Sequence, residues 1–142
     1  MSRRGAGMFV ANRTLAFENR ELSASQRIAE ARDTTQKFED YARLAADTVR
    51  ANKQELARLE SEHRNGRLTS AQYKAQIGAM RQDVEIIRKN AADAADASQR
   101  LEASGRDVRQ IVANAPKVTA AGKQMVSAAD ELEAMMPKSI TG

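Results

Sequence analysis

Residues 56–77 read LARLESEHRNGRLTSAQYKAQI, and this stretch decides the fold. Asn65-Gly66 is a turn signal, with Gly66 suited to the left-handed position after a helix. Thr69 has the character of an N-cap, and Gln72 three residues on completes a capping-box pattern. One helix therefore ends near residue 64 and another begins near residue 69.

Outward from the turn, apolar and small residues step by three and four. Upstream they are Ile28, Ala31, Thr35, Phe38, Ala42, Ala45, Val49, Asn52, Leu56 and Leu59. Downstream they are Tyr73, Ile77, Met80, Val84, Ile87, Ala91, Ala94, Ser98, Leu101, Gly105, Val108 and Val112. Both are a/d heptad patterns. Residues 12–63 contain neither Pro nor Gly and are rich in strong helix formers. Leu15 and Leu22 keep a seven-residue spacing out of phase with Ile28, which reads as a stutter near residues 22–28. Ala115-Pro116 closes the second run, because proline disfavours helix in the residue before it.

Two heptad helices joined by a short polar loop fold back antiparallel. With facing positions summing to about 136, Leu56 meets Met80, Leu59 meets Ile77 and Val49 meets Ile87, an alignment that sorts large and small layers. Ala42 then faces Ala94 and Ala45 faces Ala91 at a narrow waist. Glu60–Lys74 and Arg32–Glu102 are favourable flanking pairs, and Lys53–Arg81 is not. A third heptad set, Val118, Met125, Ala129, Leu132 and Met136, marks a helix that Gly122 weakens and Pro137 ends. The expected architecture is all-α: a flexible segment 1–11, a coiled-coil hairpin over 12–115 turning at 64–69, a short helix over 116–137 and a tail at 138–142. The short helix is expected to fold on an overhang carrying Met8, Phe9, Leu15 and Phe17.

Composition excludes much. The 142 residues include 27 Ala but no Cys, no Trp, and 4% aromatics, which argues against a sandwich or barrel. Without Cys there is no disulfide, thiolate metal site or thiol nucleophile. A single His63, near Glu60, Glu62 and Tyr73, leaves no His-based metal site and little scope for acid–base catalysis. Glu39-Asp40, Asp93/Asp96 and Asp130-Glu131/Glu133 read as solvated helix faces. Gly5-Ala-Gly7 lacks the lysine and preceding strand of a phosphate loop. No enzyme, cofactor, metal or small-molecule substrate is expected. The basic start has too short an apolar run for a signal peptide, and no run spans a membrane. Synthesis in a cytoplasm is the expectation.

An Ala-rich seam buries little per ordered residue, since a Leu or Ile contributes about 1.5–3 kcal/mol and Ala far less. Phe9, Phe17, Tyr41, Leu44, Ile86, Ile111, Val126 and Met135 lie off the seam. They point to further helix contacts, in a homo-oligomer or a larger helical assembly. Asn52, at a d position, is a candidate for fixing register. Of the 23 basic residues 16 are Arg, and Arg13, Arg20 and Arg27 recur every seven, as do Lys74, Arg81 and Arg88. Such rows can track nucleic-acid phosphates or lipid headgroups. Interspersed acids and the lack of aromatic platforms favour ion pairing instead.

Residues 56–77 resemble the short helical hairpin (SHOCT-type) module, in which a Leu-bearing helix, an Asn-Gly-type turn, a Leu-Thr cap and an aromatic-bearing helix recur. The whole chain, with its Ala/Arg/Gln-rich helices and its AADAADAS run at 91–98, is similar in character to small helical virion proteins of tailed bacteriophages. That resemblance implies a non-enzymatic structural protein packing into a ring or tube, such as an ejection conduit, located in the virion. A coiled-coil adaptor or chaperone binding a partner helix along Tyr41, Leu44 and Ile86 is the alternative. Nucleic-acid or membrane-surface binding through the Arg rows is a second.

Overall fold

Ser23 starts the first long helix. In the computed structural model, which describes residues 14–137, its side chain accepts from Gln26 N–H at 3.1 Å and Gln26 returns the bond to Ser23 N–H at 3.0 Å. This reciprocal cap satisfies two donors that a helix end leaves unpaired. It fixes helix α1 as Ala24–Arg64, 41 residues and so about 60 Å long. Gly66 takes φ 77° in the turn. Thr69 and Gln72 form the second reciprocal cap and open α2, Ser70–Ser104. A single turn, α3 (Arg109–Val112), leads into α4, Ala115–Met135, with Pro116 in its first turn where the missing N–H costs nothing.

Two boundaries differ from the sequence reading. The described residues before Ser23 are not helical beyond one 3-10 turn, Ala16–Glu18, so Leu15 and Leu22 do not extend the hairpin. The cap at Ser23 wins over the seven-residue spacing. The second helix ends at Ser104, eleven residues before Ala115. A Cβ on Gly105 would lie 2.8 Å from Ile111 Cγ2, Val112 Cγ2 and Val112 N, so the chain doubles back tightly there. Segments 1–11 and 138–142, with Phe9 and Arg13, lie outside the described residues.

Cross-helix partners give the topology. Asn52 with Asp83 and His63 with Tyr73 sum to 135 and 136, so α1 and α2 run antiparallel close to the expected register. Thr35 with Asn114 and Lys53 with Glu131 are 79 and 78 positions apart, so α4 runs parallel to α1. Ser98 with Thr119 and Arg88 with Asp130 sum to 217 and 218, so α4 runs antiparallel to α2. The result is an up–down–up set of three helices.

The largest correction concerns α4. It does not fold on an N-terminal overhang; it lies back along α1 and α2 and packs on both more extensively than they pack on each other. Gly122 makes this close approach possible. A Cβ there would sit 3.2 Å from Ala94 Cβ and 3.6 Å from the Ala91 carbonyl. The alanine waist thus receives a third helix, and Val118, Met125, Ala129 and Leu132 of α4 are fully buried. The extra helix redistributes charge as well. Lys53 escapes Arg81 by pairing with Glu131 at 3.3 Å, and Arg88 pairs with Asp130 and Glu133 at 3.0 and 2.6 Å. The expected Glu60–Lys74 and Arg32–Glu102 pairs do not form.

Beyond the reach of α4, the turn end of α1 and α2 is a two-helix tip filled by Leu59, Tyr73, Ile77 and Met80. His63 stacks on Tyr73 there, with ring centroids 4.8 Å apart and planes at 2°. No described helix is long and apolar enough to cross a membrane.

Candidate interaction surface

The sequence-predicted interaction residues separate into two groups. Phe17 and Ile111 are fully buried in the core and are unavailable to a partner. Arg27 is only 4% exposed. Its Nε donates to the Phe17 carbonyl at 2.9 Å and its Nη2 to the Ser104 carbonyl at 2.6 Å, tying the N-terminal segment to the end of α2. Arg20 pairs with Asp107 at 3.1 Å, and Arg27 Nη1 lies 3.6 Å from the same carboxylate. The Asp107 carboxyl is held below its usual range, first by its own backbone N–H and then by the two arginines. The Arg row therefore does not stand as an exposed stripe among the described residues; its middle and last members bind the head of the molecule together.

The head holds a second buried-edge device that no sequence pattern marks. Glu18 accepts from Leu15 N–H at 2.7 Å and from Arg100 Nη2 and Nε at 2.6 and 2.9 Å. Such a bidentate carboxylate–guanidinium pair is stronger than a neutral hydrogen bond. The hydrogen bonds from Arg100 hold the Glu18 carboxyl below its usual range. Together these contacts clamp Phe17 into the core.

Tyr41, Leu44 and Ile86 form the second group. Leu44 is 61% exposed and Ile86 53%, while Tyr41 is half-buried with its ring edge-on to Phe38 at 5.8 Å. Burial raises the Tyr41 hydroxyl pKa, and the Asp93 charge raises it further, which places α1 Tyr41 beside α2 Asp93. On α1 the surface continues through Leu44 to Thr48, whose hydroxyl donates to the Leu44 carbonyl at 2.9 Å. On α2 it continues from Asp93 through Asn90 to Ile86. Tyr41 with Asp93 and Thr48 with Ile86 each sum to 134, matching the α1–α2 register. The two helices thus present one face, on the side where α4 is absent. Val126, 47% exposed, belongs to the α2–α4 side instead.

Asn90 marks this face. It is 8% exposed, and its Oδ1 is the one fully buried side-chain oxygen or nitrogen among the described residues without a hydrogen-bond partner. An orphaned buried carbonyl costs about 1–3 kcal/mol. The Asn52 amide donates to Asp83 across the α1–α2 seam at 3.0 Å.

His63 is the single histidine of the chain. His63 approaches Ser70 at 3.2 Å on the exposed tip, without a carboxylate bonded to the ring to orient it. Of the acidic residues singled out in the sequence, Asp40 pairs with Arg43, Asp93 with Lys89, Asp96 with Arg100, and Glu131 with Lys53. No set of three or more His, Asp and Glu among the described residues could hold a metal ion. The grooves are open at the surface. One, of about 380 Å³, is lined by Arg32, Thr35, Glu39, Asn114 and Lys117.

No protein-family model, curated protein or solved structure matches the chain.

Proposed function

We propose that this protein is a non-enzymatic assembly module whose helices pack side by side with further copies of the chain. In this reading α1 and α2 act as a coiled-coil hairpin stem, braced by α4 on one side and free to dock on the other. The observation that carries the reading is the shared face of Tyr41, Leu44 and Ile86, where two large apolar side chains are more than half exposed beside an unsatisfied buried amide. Apolar side chains gathered on one face in this way are characteristic of association sites rather than of free surface. A virion component such as an ejection conduit is the setting we propose within this class; its support is the compositional likeness to small helical virion proteins.

The same face suits a helix of a different protein, as an adaptor or chaperone would use it, so the partner's identity is what experiment must decide. Binding of nucleic acid or lipid headgroups through Arg13, Arg20 and Arg27 is less well supported, since Arg27 is enclosed and Arg20 is paired. Light scattering across a wide concentration range tests the proposal. A defined oligomer supports it, and a monomer at every concentration refutes it.

A further inference from the structure

We propose that residues 14–22 form a hinged strap held closed by the Glu18 carboxylate, so that acid lifts the strap and bares the seat of Phe17 while the three helices stay folded.

The strap is built to move apart from the helices it covers. Its single 3-10 turn packs on both α1 and α2, and its one fully buried side chain is Phe17. The hinge is the turn at Asn19–Leu22, which is closed by its own bonds. Asn19 Oδ1 accepts from Glu21 N–H at 3.0 Å, and the Asn19 carbonyl accepts from Leu22 N–H at 3.1 Å. Helix α1 begins beyond this turn with its own Ser23–Gln26 cap, so its first turn does not depend on the strap. When the strap leaves, Arg27 gives up the Phe17 carbonyl but keeps the Ser104 carbonyl and its neighbour Asp107. The tie between α1 and the end of α2 therefore survives opening.

Glu18 is the fastener. Its carboxylate takes Leu15 N–H inside the strap and two Arg100 N–H groups outside it, in a pair only 21% and 16% exposed. Protonation removes the charge that strengthens these bonds and leaves a partly buried guanidinium short of its counter-ion. From α2, Arg100 faces Glu18, with Asp96 on Arg100 Nη1 at 3.3 Å. From α1, Arg27 lies on the adjoining Phe17 carbonyl, and the α1–α2 register sets Lys37 level with residues 97–99. At the far end of the strap Arg20 pairs with Asp107. Arg100 holds the Glu18 carboxyl below its usual range, so the closed form persists at neutral pH and is lost as pH falls through that lowered value.

Hydrogen exchange of the native chain, corrected for the intrinsic pH dependence of amide exchange, tests the device between about pH 6 and about pH 3. Residues 14–22 are expected to lose protection at least about tenfold while α1 and α2 keep theirs. Glu18→Gln, verified as helical by circular dichroism, should show the unprotected strap already at neutral pH, with no further acid step. Asp107→Asn should retain the step. Strap and helices losing protection together in the native chain would overturn the proposal, whether or not the variants fold. So would an unchanged acid step in Glu18→Gln, or a step abolished by Asp107→Asn.

Discussion

Glu18 and Arg100 stand 82 positions apart in sequence yet form a two-bond ion pair, Nε to Oε2 at 2.9 Å and Nη2 to Oε1 at 2.6 Å. This pair and the Arg27 bonds to the Phe17 and Ser104 carbonyls hold a short non-helical segment over the head of a three-helix set. If the clamp acts as one unit, Glu18→Gln and Arg100→Met should be strongly non-additive. A double-mutant cycle read by urea denaturation is expected to show coupling of about 1–3 kcal/mol. Independent effects would mean the segment is held by Phe17 alone. Phe17→Ala is expected to cost about 3–5 kcal/mol, as for other buried aromatics.

The lowered Glu18 pKa gives the pH dependence a sign. An unfolded Glu titrates near 4.3, and the folded carboxyl titrates lower. The pair's stabilisation is therefore fully present above the unfolded value and is lost as pH falls through the folded one. The thermal midpoint should drop as pH is lowered below about 4.3, and Glu18→Gln should flatten that dependence. A Glu18→Gln profile superimposable on the native one would show that other carboxylates govern the acid transition.

Three glycines make contrasting predictions when a side chain is added. Gly105→Ala places a Cβ 2.8 Å from backbone and side-chain atoms of α3, and should destabilise by at least about 1–3 kcal/mol. Gly122→Val adds bulk where a Cβ alone already meets Ala94 at 3.2 Å, and should lift α4 off α2. Gly78 sits in an exposed helical stretch with nothing within 4 Å, so Gly78→Ala should stabilise by about 0.5–1 kcal/mol. Thermal denaturation of the three variants checks the order; stabilisation by Gly122→Val would sink the account of α4 docking.

Much of the fold was legible because its determinants are local. The Asn65-Gly66 turn, the Thr69–Gln72 cap and the two heptad runs each act within a few residues, and the α1–α2 register followed from them. The Ser23–Gln26 cap was equally local, but the Leu15/Leu22 spacing argued for helix across it and lost. What remained hidden depends on a third body. Gly122 reads as a helix-weakening residue until Ala91 and Ala94 are seen opposite it, where the missing Cβ is a packing requirement. Arg27 likewise reads as one of a surface row until the chain folds back and surrounds it with carbonyls. Of the off-seam apolar residues proposed for interaction, Leu44 and Ile86 are exposed and Tyr41 is half-buried, whereas Phe17 and Ile111 looked the same in sequence and are core.

The measurement that bears most directly on the proposed assembly is sedimentation velocity on the native chain and on Leu44→Asp/Ile86→Asp, at matched concentrations and with helicity monitored alongside. A discrete oligomer for the native chain, and a fully helical monomer for the double variant, is the outcome expected. A native chain that sediments as a monomer throughout, or a double variant that assembles as the native chain does, would contradict it.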